Sequence, residues 1–196
     1  MHAQVRDPWY AEIGVNAVDV YPVGENMPQG PFFDEFLNVT DHWNFGFYLK
    51  VTRKLSQRFD VGLMFSNNTI TKWGQFGNDD VSFEVEDLKY YGVDINANYY
   101  LLTNRLQPFV GFGASYTWIE EGANNTFSTN QGTDNLVGAM TINWGLGLKF
   151  TVSDHISINL QTTYKHSFQE YLTKHWQHTL GLQYRILGNK GCNYVR

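Results

Sequence analysis

From Leu136 to Val152 apolar and polar positions alternate without a break. Leu136, Gly138, Met140, Ile142, Trp144, Leu146, Leu148, Phe150 and Val152 fall on one face, and Val137, Ala139, Thr141, Asn143, Gly145, Gly147, Lys149 and Thr151 on the other. A period of two is the signature of an extended strand with one apolar face. Seventeen residues at about 3.3 Å each make a strand of about 55 Å, longer than is usual in globular domains. Such a length suits a tilted strand that crosses a bilayer and runs on past it, because the crossing itself takes only about 9–11 residues.

The same alternation recurs in seven further segments. They are Ala11–Val18, Trp43–Val51, Phe59–Ser66, Tyr91–Tyr99, Val110–Trp118, Ile156–Lys165 and Leu180–Ile186. The connections differ in length. Arg53–Arg58, Thr103–Gln107 and Ser153–His155 are short and carry the polar residues that turns favour, whereas Pro22–His42, Gly74–Asp87, Ala123–Asn135 and Ser167–Gln177 are long. The pattern predicts an all-β chain: an eight-stranded antiparallel transmembrane β-barrel with four long external loops and short periplasmic turns. Both termini then lie on the periplasmic side. Residues 1–8 form an N-terminal segment, 9–187 the barrel, and 188–196 a short C-terminal tail.

Composition excludes several alternatives. Charged residues make up 17% of the chain, against about 25% in ordinary soluble proteins. Apolar residues reach 42% and aromatics 16%. Mean hydropathy is −0.37, and no apolar run approaches the length of a membrane helix, so a helical membrane protein is excluded. So many aromatics exclude disorder. A net charge of −5 with no Lys/Arg cluster argues against nucleic acid as a partner. Cys192 is the single cysteine and makes neither an internal disulfide nor a thiolate metal cluster. Ala3-Gln4, after Met1-His2, has the look of a processed leader, and the chain reads as mature and exported.

Alternation alone does not say which face is inside. A water-facing surface is rich in Lys and Glu. Here the polar face is mostly Gly, Asn, Ser, Thr and Gln, small side chains that suit a narrow interior. The other face is larger and carries Trp43, Tyr91, Tyr99, Trp118 and Tyr164 near strand ends, as the interfacial aromatics of a bilayer-spanning barrel do. The polar face therefore goes inside. Eight strands leave an interior that side chains just fill. Glu12, Asp60 and Asp94 are then expected to meet Lys50, Lys149, Lys165 and Arg185 in a lumenal salt-bridge and hydrogen-bond network, because buried charges need partners. A lumen plugged in this way makes a poor pore.

Other candidate chemistry is weaker. His166-Ser167, with Glu170 nearby, has the residue types of a lipid-editing site, but neighbours on a strand point to opposite faces and a nucleophile needs its base within reach. His175 and His178 have a spacing that metals use, yet no carboxylate or thiolate completes the set, and a place in the aromatic interface beside Trp176 is the preferred reading. Asp79, Asp80, Glu84, Glu86 and Asp87 read as a solvated acidic loop without the order of a tight calcium site. No catalytic residue, cofactor or metal is expected. The segment with Phe32, Phe33, Phe36 and Leu37 is costly to leave wet; it either packs over the barrel mouth or forms a partner-docking loop.

The run Pro8-Trp9-Tyr10-Ala11-Glu12-Ile13-Gly14-Val15-Asn16-Ala17-Val18-Asp19 resembles the N-terminal barrel of OmpA-family outer-membrane proteins of Bacteroidetes, flavobacteria especially. Phe33-Asp34-Glu35-Phe36, Asp41-His42-Trp43-Asn44, Tyr90-Tyr91-Gly92-Val93-Asp94, Pro108-Phe109-Val110-Gly111-Phe112-Gly113, Leu160–Phe168 and His175-Trp176-Gln177-His178 are similar too. The resemblance implies an outer-membrane barrel, commonly followed by calcium-binding repeats and a peptidoglycan-gripping domain. Leu187–Arg196 does not hold such a domain, so peptidoglycan is a partner only if one lies beyond residue 196. The expected function is structural: a membrane anchor or accessory subunit of a larger outer-membrane complex, in contact with lipid, lipopolysaccharide and other outer-membrane proteins. A small diffusion channel is the alternative, and a lipid A-modifying enzyme is less favoured.

Overall fold

A computed structural model describes residues 8–19, 43–74, 82–120, 136–168 and 175–187. They form eight strands: β1 Trp9–Asp19, β2 Trp43–Lys54, β3 Phe59–Gly74, β4 Ser82–Tyr100, β5 Leu106–Glu120, β6 Leu136–Thr151, β7 Ile156–Ser167 and β8 His175–Leu187. Each pairs antiparallel with the next, and β8 returns to pair with β1, closing the sheet into a barrel. Closure satisfies every strand edge within the wall.

The register sets the shape. Partners can be followed around the wall from Trp9 to Arg53, Val61, Ala97, Phe112, Trp144, Tyr164 and Trp176, and the path returns to β1 at Asp19. The return is ten residues above the start. Eight strands about 4.8 Å apart with that stagger have a tilt of about 40° and a barrel radius of about 8 Å.

Two connections differ from the sequence expectation. Half of the acidic stretch expected as a loop over Gly74–Asp87 is strand, because β3 runs to Gly74 and β4 starts at Ser82. Glu84, Glu86 and Asp87 are thus strand positions, while Asp79 and Asp80 lie outside the described residues. Beyond Ile70↔Leu88 the two strands continue as a ribbon paired as far as Gly74↔Ser82, with a register shift between Ile70 and Lys72. Backbone pairing joins the two strands along this ribbon. Likewise β7 extends through Ser167 and β8 begins at His175, which shortens the connection expected over Ser167–Gln177.

Asn44 secures the shifted segment. Its Oδ1 accepts from the backbone N–H groups of Thr71 and Lys72, each at 2.9 Å, and its Nδ2 donates to Lys72 O at 3.0 Å and Val18 O at 3.3 Å. One side chain thereby replaces ladder bonds that the irregularity removes.

Candidate functional site

Inward side chains fill the lumen in layers. At the long-loop end Val18, Ile70, Leu88, Ile119 and Ala139 gather with Tyr90 in an apolar cluster. The Tyr90 hydroxyl hydrogen-bonds with His175 Nε2 at 2.9 Å and accepts from Lys165 Nζ at 3.5 Å. Lys165 in turn pairs with Asp94 at 2.7 Å. Asp94 Oδ1 also accepts from Asn143 Nδ2 at 3.0 Å, and Thr141 donates to Asn143 at 2.7 Å.

In the middle layer Glu12 accepts from the Tyr48 hydroxyl at 2.5 Å, from Asn159 Nδ2 at 3.1 Å and from Gln183 Nε2 at 3.0 Å. Tyr48 reaches Glu12 by lying over Gly14 and Gly181, where a Cβ would collide with it. Glycine in these strands leaves the space that a neighbouring ring occupies. Asp60 accepts from Asn98 Nδ2 at 3.0 Å and from the Tyr100 hydroxyl at 2.6 Å, and Lys50 donates to Gln161 Oε1 at 3.4 Å.

The short-turn end has a different character. Lys149 Nζ sits 4.5 Å from the Tyr10 ring and 5.9 Å from the Tyr100 ring. Lys54 Nζ is 5.0 Å from Tyr100, and Arg185 Cζ is 5.9 Å from Tyr10. These are cation–π distances.

All seven charged residues expected in the lumen belong to the inward-facing set. Glu12, Lys50, Asp60, Asp94, Lys149 and Lys165 are at most 4% exposed, and Arg185 is half-buried. Their pairing differs from the expectation. Of these seven, Lys165 and Asp94 alone form an ion pair with each other. Glu12 stands opposite Lys50 in the ladder, yet it is satisfied by three neutral donors, and Asp60 by two. A carboxylate accepts several hydrogen bonds, so neutral donors can replace a cation.

The outward face is apolar. On β2, Phe45, Phe47, Leu49 and Val51 are exposed between Trp43 and Arg53; on β4, Val93, Ile95 and Ala97 lie between Tyr91 and Tyr99. Eight to ten residues along strands tilted by about 40° make a belt about 20–25 Å high, the dimension of a lipid-facing band. Trp43, Tyr91 and Trp118 stand toward its long-loop edge and Tyr99 toward its short-turn edge. Tyr164 faces outward but is buried, its ring 4.9 Å from Trp144 and 5.2 Å from Trp176.

One polar pair interrupts this face. His178 Nδ1 and Thr162 Oγ1 are 2.8 Å apart, and the imidazole stacks on Trp43 at 4.2 Å. The two rings meet across β1 at Ala17, the ladder partner of both His178 and Phe45. Sequence reasoning preferred an interfacial position over a metal site for His178, and its place two residues from Trp176, on the same face, agrees with the outward position. His175 faces inward and His178 outward, so they do not share a ligand. His166 stacks outward on Trp144, whereas Ser167 is buried on the inner face. Phe32, Phe33, Phe36, Leu37 and Glu170 lie outside the described residues.

No protein-family model matches this sequence, and no curated protein matches it. Solved structures do. The N-terminal β-barrel domain of Pseudomonas aeruginosa OprF superposes with a TM-score of 0.57 at 14% identity, covering 93% of this chain and 100% of that one. The outer membrane protein OprG of the same organism gives 0.57 at 15% identity, over 93% of this chain and 97% of that one. Ail, the attachment invasion locus protein of Yersinia pestis, in complex with the heparin analogue sucrose octasulfate, gives 0.56 at 16% identity, over 92% and 99%. The chain has the fold of the eight-stranded outer-membrane β-barrels.

Proposed function

We propose that this chain is a resident of the bacterial outer membrane with a structural task, as a membrane anchor or an accessory subunit of a larger outer-membrane complex. The observation that carries this reading is a closed wall whose outside is an apolar belt and whose inside is filled by mutually bonded side chains. The belt faces acyl chains, and the long loops face outward toward lipopolysaccharide, with both termini periplasmic. The finer assignment, to the flavobacterial type of OmpA-like barrel, rests on the Pro8–Asp19 run and the similar stretches that follow it.

A filled lumen speaks against the diffusion channel, and the opposite facing of His166 and Ser167 against an acyl-transfer enzyme. The protein reconstituted in planar bilayers should show no steady openings; a stable, large single-channel conductance would overturn the structural reading. Native electrophoresis of membranes extracted in mild detergent separates the two structural roles. A subunit runs in a larger assembly of fixed composition, and an anchor runs alone.

A further inference from the structure

We propose that the short-turn end of the lumen is a binding site for a small free oxyanion of the inorganic phosphate class. Inward positions near the short-turn ends of five of the eight strands bring Lys54, Lys149 and Arg185 together around the rings of Tyr10 and Tyr100. The shared rings hold Lys149 within roughly one Debye length, about 10 Å, of the other two cations. Near these three positive charges lie two carboxylates: Asp60, the ladder partner of Lys54, which accepts from Asn98 and Tyr100, and Glu12, which accepts from Tyr48, Asn159 and Gln183.

Two of these cations, Lys149 and Arg185, keep donors without a protein acceptor among the described residues. Lys149 is 4% exposed, and among the described residues its ammonium meets ring faces and no carboxylate or carbonyl oxygen. Arg185 Nε is buried with no hydrogen-bond partner. A buried ammonium with unused donors costs free energy that an anion would offset. Lys54 and Arg185 are half-buried and Lys149 is buried, so an anion coming from the short-turn end meets Lys54 and Arg185 first. A lipid headgroup on the outer face is separated from these groups by the wall, which favours a free solute.

The test is a phosphate titration of the ¹⁵N-labelled full chain in nanodiscs of zwitterionic lipid, followed by amide chemical shifts. Saturable shifts confined to the neighbourhood of Tyr10, Lys54, Tyr100, Lys149 and Arg185 are expected. Lys149→Met should weaken binding about tenfold or more, as loss of a charge-assisted contact does. Arg185→Gln gives the same reading should the first variant misfold, and Lys89→Gln at the opposite end should bind as the parent does. The proposal is overturned by an absence of saturable shifts, or by shifts indifferent to both substitutions. It also fails if anionic lipid without phosphate moves the same amides, or if Asp7→Asn moves them, which would make the chain's own N-terminal segment the occupant.

Discussion

Two leucines on one face of β6 test the membrane placement directly. Leu146 is 66% exposed and Leu136 47% exposed. Leu146 pairs with Val110 and Thr162, between the edge aromatics, whereas Leu136 lies ten residues further toward the long loops. At a tilt of about 40° those ten residues separate the two by about 25 Å along the axis, a full belt height. Leu146 thus sits near the midplane and Leu136 beyond the bilayer edge. Arginine at a barrel's lipid face costs about 2–4 kcal/mol at the midplane and about 0–1 near the interface. Leu146→Arg should therefore lose at least about 2 kcal/mol more stability than Leu136→Arg. Reversible urea titration of refolding into thin phospholipid vesicles, followed by tryptophan fluorescence, measures both. For an exposed face in water each change would fall within about 0.5 kcal/mol of neutral. Equal costs at the two positions would refute the lipid-facing belt.

Two further outcomes follow from the interior. Asp94→Asn or Lys165→Met alone strands a buried charge and should cost about 3–5 kcal/mol, while the double variant should cost much less than the sum; the same urea titration reads this, and simple additivity would contradict a coupled pair. Asn44→Ala removes the clamp on the β3–β4 irregularity. The Thr71 and Lys72 amides should then exchange with solvent at least about fivefold faster, since a lost hydrogen bond is worth about 1 kcal/mol. Amides at the opposite end of β3, such as Val61, serve as the unchanged reference in hydrogen-exchange mass spectrometry or NMR.

Much of the wall was legible because a half-buried strand must alternate. Leu136–Val152 reads as a strand from its side chains alone, and β6 follows it to within one residue. The inward assignment of Glu12, Asp60, Asp94 and the basic residues followed from the same parity. Two kinds of fact were not legible. Parity is unchanged when a strand slides by two residues, so the ten-residue stagger, and with it every neighbour across the lumen, is invisible to alternation. Lys50 stands beside Glu12 in the ladder yet bonds Gln161, a choice made by side-chain reach in three dimensions. Strand ends outside the belt carry no apolar requirement either. Glu84, Glu86 and Asp87 looked like loop on their charge, although Phe83 and Val85 alternate with them, and Ile70 and Leu88, which cap the interior, fell outside the segments that alternation marked.

The pairing of β1 with β8 places Trp9 beside Leu187. The wall is therefore a ring in which no strand is topologically first, and the order of synthesis leaves no mark on the finished hydrogen bonding. Joining the ends through a short linker and reopening the chain in the turn between β2 and β3 would yield a circular permutant with the same staves in the same cyclic sequence. For assembly, the seam between the earliest and latest strands to be translated is the one junction that cannot form until the whole chain is present.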